Sequence, residues 1–209
     1  MEDVLELYAE PHDPARPVVC FDEASKELRG DVAEPISPAP GSPAKQDYEY
    51  TRHGTANLFV IVEPLAGRRH VTVTDRRTIP DFAAQMKHLC EVMYPEAATI
   101  RVVLDNLNTH ALGSLFATYP ADEAWRLAHR LELHFTPKHA SWLNMAEMEL
   151  SVLSRQCLAR RLPEKGLLAA EVKAWEAERN RTGVRLEWSF RVADARRKLA
   201  HLYPQDLQR

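Results

Sequence analysis

Pro17-Val18-Val19-Cys20-Phe21-Asp22-Glu23 and Ile100-Arg101-Val102-Val103-Leu104-Asp105-Asn106 are two apolar, β-branched runs that each close on a carboxylate. Runs of this kind, without polar alternation, suit buried strands. Pro17 fits the first position of the earlier strand, where no ladder N–H is needed. The second strand follows a helical stretch, so the spacing predicts that it runs parallel to the first through a crossover. In that arrangement Asp22 and Asp105 both stand at strand ends. They open on the carboxyl edge of the sheet, where open α/β folds place their ligands.

The neighbouring segments complete the sheet. Asn57–Val62 and His70–Thr74 read as two strands joined by a turn containing Pro64, Ala66 and Gly67, hence an antiparallel hairpin. Phe82, Met86, Leu89 and Met93 recur at helical period across Asp81–Tyr94, with Pro80 at the start. Ala111–Tyr119 and Ala121–Arg130 are expected to be short helices divided by Pro120, and Leu131–Thr136 alternates like a last strand. Ser141 is the expected cap of a helix reaching about Arg160, with further helices at Gly166–Asn180 and Val192–Leu199. The order predicts an α/β fold: a mixed five-stranded sheet of three antiparallel strands then two parallel ones, flanked by helices. Ribonuclease-H-like nucleases and integrases have this architecture. The expected divisions are a lead-in over 1–16, a catalytic domain over 17–160 and a C-terminal helical extension over 161–209. A Pro-rich loop at 30–43 interrupts the domain.

Composition narrows the class. The chain has 209 residues, 45% of them hydrophobic and 27% charged, the balance of an ordinary globular protein. No apolar run approaches the roughly 20 residues of a membrane helix, and the acidic start Met1-Glu2-Asp3 is unlike a signal peptide. A cytoplasmic location is therefore expected. Cys20, Cys90 and Cys157 are isolated, and the nine histidines show no zinc-binding spacing. The net charge of −3 hides an asymmetry. Residues 1–49 carry 12 acidic and 4 basic side chains, whereas residues 155–198 carry 12 basic and 6 acidic ones. The basic region is able to track phosphates; the alternative is two solvated faces of opposite sign that pair with each other.

A third acid belongs with the two aspartates. Carboxylates are hard oxygen ligands suited to Mg²⁺. A pair of such ions drives in-line displacement at a phosphodiester by serving both the attacking and the leaving oxygen. Taken singly, an aspartate after a strand is commonly a turn or cap residue; two on neighbouring strands with an acid on the following helix form a constellation. Glu147 and Glu149 compete for the third place. At about 100° per residue they point about 160° apart and flank the stripe Leu143, Ala146, Leu150, Leu153 and Cys157 on opposite sides, so periodicity leaves both open. Around these acids lie Asn106, Asn108 and His110, then Lys138, His139, Ser141, Trp142 and Asn144. Lys138 and His139 are candidates for phosphate contact, Trp142 for stacking on a base, and Asn144 for orienting substrate.

At these residues the chain resembles bacterial insertion-sequence transposases of the DDE type, in the IS six-thirty family related to mariner elements. The matching stretches are Cys20-Phe21-Asp22-Glu23, Val102-Val103-Leu104-Asp105-Asn106-Leu107-Asn108-Thr109-His110 and Thr136-Pro137-Lys138-His139-Ala140-Ser141-Trp142-Leu143-Asn144-Met145-Ala146-Glu147. His53-Gly54-Thr55-Ala56-Asn57-Leu58 is similar as well. The resemblance implies a ribonuclease-H-like domain using Mg²⁺ or Mn²⁺, with two ions. It implies cleavage of double-stranded DNA at element ends and transfer of the freed 3′-hydroxyl into target DNA, by a homodimer in the synaptic complex. It assigns Asp22, Asp105 and Glu147 as catalytic and metal-binding, because the family's last acid follows Leu-Asn by three positions. Asn106, His110, Lys138, His139, Trp142 and Asn144 are its candidates for DNA contact. With the first strand near residue 17 there is no room for the helix-turn-helix modules usual in the family, so a catalytic domain without its N-terminal recognition region is expected. Two other readings compete: an endonuclease of the same fold that only hydrolyses, and a truncated, non-catalytic regulator that binds DNA or a full-length transposase.

Overall fold

Ile100–Leu104 is buried at every position, and so is Val19–Phe21, as central strands covered on both faces require. The computed structural model describes residues 1–203 and builds five strands around these runs: β1 (Val18–Asp31), β2 (Tyr50–Glu63), β3 (Arg68–Thr74), β4 (Ile100–Leu104) and β5 (Leu131–Phe135). The helices are α1 (Glu2–Leu7), α2 (Ile79–His88), α3 (Gly113–Thr118), α4 (Ala121–Ala128), α5 (Met145–Gln156), α6 (Lys165–Thr182) and α7 (Val192–Lys198). The sheet order is β3-β2-β1-β4-β5. β1 pairs antiparallel with β2, and β2 with β3, while β4 runs parallel to both β1 and β5. This is the predicted ribonuclease-H-like sheet with helices on both faces and a C-terminal helical region.

Strand alternation sorts the core into two sides. Val19, Phe21, Phe59, Ile61, Val102 and Leu104 pack with Phe82, Met86 and Leu89 of the α2 segment and with Leu115 and Leu127 of α3 and α4. On the other face, Leu58, Val60 and Val62 meet Leu150 and Leu153 of α5 and Leu168 and Val172 of α6. Cys20 and Val103 meet Met145 and Ala146 on that same face. A capping box between Thr78 and Asp81 starts α2, which continues through a wider π turn over Leu89–Met93. At the β2–β3 turn Gly67 has φ +67°, and a Cβ there would lie 2.8 Å from the carbonyl oxygen of Gly183. Gly183 is itself the left-handed cap that ends α6.

Several expectations are corrected. β1 does not end at Glu23 but runs to Asp31, so Asp22 lies within a strand and not at its end. β2 likewise begins at Tyr50, ahead of Asn57. The outer halves of these strands form a hairpin arm with few buried side chains, which carries no hydrophobic signature. Gly30 and Asp31 thus belong to the strand, and the Pro-rich segment beyond them bears only the isolated bridges Ile36–Lys45 and Ala39–Ser42. Ser141 opens a 3₁₀ turn, and the cap of α5 is Asn144. The stretch expected as a lead-in contains α1, whose Glu2 pairs with Arg196 of α7. Arg161 similarly pairs with Asp31, so the acidic and basic halves do meet in part. The last residues of the expected C-terminal extension, 204–209, lie outside the described residues. No helix among the described residues is long and apolar enough to cross a membrane.

Glu149 is fully buried, and its carboxylate is shared by two arginines. Arg69 Nε of β3 donates to Oε1 at 2.7 Å; Arg179 of α6 donates Nε to Oε1 at 2.8 Å and Nη2 to Oε2 at 3.1 Å. Arg69 also donates to the carbonyl oxygens of Gly67 and Val184 at 2.7 and 2.6 Å. Removing one partner from such a cluster strands a buried charge. Glu149→Ala is expected to cost about 3–5 kcal/mol, whereas Glu147→Ala on the exposed side of the same helix costs less than about 1 kcal/mol. Urea unfolding of the two variants checks this, and equal losses would contradict it.

Candidate active site

The parallel ladder between β1 and β4 is short. It pairs Val18 with Arg101, Val19 with Val102 and Cys20 with Val103, and then β4 stops at Leu104. Continuing that register by two residues brings Asp22 level with Asp105. β1 goes on, paired only with β2, where Asp22 faces Val60. The two aspartates therefore stand beside the point where the parallel strands part, with Asp22 on the face of the sheet that Cys20 occupies.

α5 starts on that face. Asn144, its buried cap, accepts the Ala146 N–H on Oδ1 at 3.1 Å. Its Nδ2 donates to the Phe21 carbonyl at 2.8 Å and to Asp22 Oδ2 at 3.3 Å. The cap thus locks the start of the helix to β1 beside Asp22. Glu147, in the first turn, is exposed, and a carboxylate there is favoured by the helix dipole. Glu149 points into the arginine cluster and is occupied there.

Asp22 feels its surroundings strongly. Burial pushes its carboxyl up to about 7, opposed by the hydrogen bond from the Glu23 N–H and reinforced by the negative charges of Glu147, Glu23 and Asp105. Asp105 accepts His110 Nδ1 on Oδ1 at 2.6 Å and the Leu107 N–H at 3.3 Å. His110 is 2% exposed, with its ring between Phe21 and Phe82 at centroid distances of 5.3 and 4.9 Å. Its Nε2 lies 3.0 Å from Glu23 Oε2, within ion-pair distance. Burial alone would lower the imidazole's pKa, but Glu23 and Asp105 outweigh it and hold the value above the ordinary one.

Among the described residues no three His, Cys, Asp or Glu side chains close into one metal-binding group. The donor chemistry at the cleft nevertheless suits a hard divalent cation. Asp22, Asp105 and Glu147 supply carboxylate oxygens only; the Asp22 carboxyl is raised first by burial and then by neighbouring negative charge, which a cation would offset.

The other candidates divide by exposure. Asn106, Lys138 and His139 stand in solvent on the loops after β4 and β5, and His139 adopts a left-handed φ of 63°. Trp142 is 44% exposed and stacks on Trp188 at 6.1 Å, with Phe190 against its edge. Trp188 lies in the segment between α6 and α7. His110 and Asn144 are buried and committed to internal partners. Sequence reasoning missed Glu23 and Arg77, whose Nη1 is 3.9 Å from Glu23 Oε1. Glu23 leaves β1 on the face opposite Asp22, and only the folding back of the 105–112 loop brings it to His110.

The family profile described as DDE superfamily endonuclease matches residues 17–168. Among solved structures, the chain is similar to the Mos1 strand transfer complex, with a TM-score of 0.55 and 14% identity over 78% of this chain and 48% of that one. It is also similar to the Mos1 mariner paired end complex with Mn, with a TM-score of 0.55 and 15% identity over 81% of this chain and 52% of that one. The chain thus spans about half the length of these structures, and the likeness is one of fold. No curated protein sequence matches it significantly.

The Asp22 shift has a measurable consequence. Without divalent cations the folded protein keeps the Asp22 proton up to about pH 7, whereas the unfolded carboxyl loses it near 3.8. The unfolded state binds fewer protons in that window, so this group lowers stability as pH rises through it. Asp22→Asn is expected to stabilise the protein at pH 8 by on the order of 2–4 kcal/mol and to change little at pH 3. Urea unfolding in chelator at both pH values tests this; an unstabilised variant at pH 8 would refute the shift.

Proposed function

The chain belongs to the DDE superfamily of endonucleases, and from that membership we propose that it is the catalytic domain of a DNA transposase. It cleaves double-stranded DNA at transposon ends and transfers the 3′-hydroxyl into target DNA. The observation that supports this reading is the parallel pairing of Val18–Cys20 with Arg101–Val103, two residues short of Asp22 and Asp105, together with the Asn144 cap that ties Asp22 to the start of the helix bearing Glu147. The catalytic unit runs over 17–160, with 1–16 and 161–209 as its supporting ends.

Asp22, Asp105 and Glu147 are the residues that would hold Mg²⁺ or Mn²⁺, probed best as two ions. The Mn named for the similar Mos1 mariner complex supports that choice. Bound there, divalent cations supply charge stabilisation at the attacking and leaving oxygens of a phosphodiester. The protein's own contribution is placement. Asn144 fixes the Asp22 carboxylate through Oδ2 while pinning the start of α5, so Asp22 and Glu147 share one rigid mount. Lys138 and His139 extend from the loop after β5 as contacts for phosphate. Trp142, backed by Trp188, offers a ring face for a base. Asn106 lies exposed beside Asp105 as a further contact. His110 and Asn144 are buried and are not assigned to DNA. Bringing two transposon ends together calls for a homodimer, and the reaction belongs in the cytoplasm, at the bacterial nucleoid.

Asp105→Asn is expected to abolish both nicking of a duplex carrying the element end and joining of a pre-cut 3′-hydroxyl end, with thermal unfolding little changed. A well-folded variant that still nicks at the parental rate would defeat the assignment. Nicking without joining by the parental protein would identify an endonuclease that only hydrolyses. Undiminished DNA binding with neither reaction would identify a regulator.

A further inference from the structure

Asp105 hangs from the end of β4 on a loop, and its side chain is 46% exposed. A carboxylate so placed has free rotation unless something holds it. The backbone offers one long contact, the Leu107 N–H at 3.3 Å. The short contact comes from His110 Nδ1, which meets Oδ1 at 2.6 Å, the same oxygen that takes the Leu107 N–H.

His110 is built in from the opposite face of the sheet. Phe21 of β1 meets its ring edge-on at an interplanar angle of 81°, and Phe82 of α2 covers it at 30°. Its second nitrogen meets Glu23 Oε2. That oxygen is buried and has no hydrogen-bond partner of its own, and among the described residues His110 Nε2, at 3.0 Å, is the basic nitrogen beside it. The nearest other one, Arg77, lies 3.9 Å from the far oxygen Oε1. A buried carboxylate is costly unless it is paired, and the His110 imidazole is the pair this one has.

We propose that Glu23 and His110 form with Asp105 a carboxylate–imidazole–carboxylate relay that bridges the parting of β1 and β4 and fixes the Asp105 carboxylate for cation binding. Both are positioning residues, and neither touches substrate. The backbone ladder between the two strands ends at Cys20 and Val103, so beyond that point this side-chain relay is the tie between the strand carrying Asp22 and the loop carrying Asp105. Outer partners of this kind orient metal-binding side chains, and their loss typically weakens metal binding by about 10–100-fold. The inference rests on the reading of Asp105 as a cation-holding residue.

Mn²⁺ titration of the full chain, followed by the electron paramagnetic resonance signal of free Mn²⁺, tests it apart from activity. Glu23→Ala and the better-packed Glu23→Leu are each expected to weaken Mn²⁺ binding by about 10–100-fold. Glu23→Gln, which keeps a side-chain oxygen beside the ring, restores most of the affinity. In a nicking assay the Ala and Leu variants lower kcat and leave KM for DNA unchanged, since no DNA contact is removed. Thermal unfolding verifies that the variant compared is folded; Glu23→Leu decides the matter should Glu23→Ala not fold. Parental Mn²⁺ affinity in folded Glu23→Leu, with Asp105→Asn defective, overturns the relay alone. Parental affinity in Asp105→Asn overturns the cation site and the relay with it.

Discussion

Everything at the cleft depends on how far β1 and β4 stay paired. Three residue pairs of parallel ladder hold the strands together, and the carboxylates begin where the ladder ends. Had β4 continued, Asp105 would have been drawn into a ladder beside Asp22, and two like charges would have been buried against each other at prohibitive cost. Ending β4 at Leu104 lets the chain turn away into the 105–112 loop, which opens a cleft between strands that remain rigid below it. β1 keeps its own order past this point because β2 pairs with it on the other side through to Asp31. One wall of the cleft is therefore a strand and the other a loop. That difference explains why Asp22 is held by a helix cap while Asp105 needs a histidine.

The third wall is set by the rotation of α5 about its axis. Two constraints determine it. Asn144 ties the helix start to the Phe21 carbonyl and Asp22, and Glu149 is drawn into the buried pair of Arg69 and Arg179. Replacing a buried ion cluster by apolar side chains is often no less stable, so stability alone is weak grounds for keeping one. Here the cluster also gives orientation. With Glu149 inward, helical geometry turns Glu147 outward, and Arg69 also holds the β2–β3 turn and the segment after α6 through the carbonyls of Gly67 and Val184. The C-terminal helices are thus wired into the helix that faces the cleft, while α1 and α7 close over its other side through Glu2 and Arg196.

The buried Asp22 carboxylate is an electrostatic burden on the fold in the absence of cations. Asp22 is pushed far from its ordinary pKa by burial and by its neighbours, the sort of strain that collects at functional sites and is sustained by the surrounding structure. The surrounding structure here is a deep two-sided core, with apolar strands covered by α2–α4 on one face and α5–α6 on the other.

The sequence by itself determined the local patterns: apolar runs ending in carboxylates, the turn at Pro64–Gly67, the helical period after Pro80 and the Leu-Asn spacing ahead of Glu147. These are written in neighbouring residues, because burial on a strand or helix repeats at a short period. The mixed sheet and its strand order were legible for that reason. The hairpin arm beyond Glu23 was not, since its outer residues face water and keep no apolar alternation. Nor was the choice between Glu147 and Glu149 legible in the helix period, which treats both flanks of a stripe alike. Tertiary structure shows Glu149 taken up by an arginine 80 residues away in β3, with Glu147 left exposed on the other side of the helix. The buried setting of His110, the pairing with Glu23 and the cap from Asn144 to a strand 123 residues earlier were decided in the same way. They arise where the strands part and distant segments meet, and side chains that recognise one another across such separations leave no periodic trace in the chain.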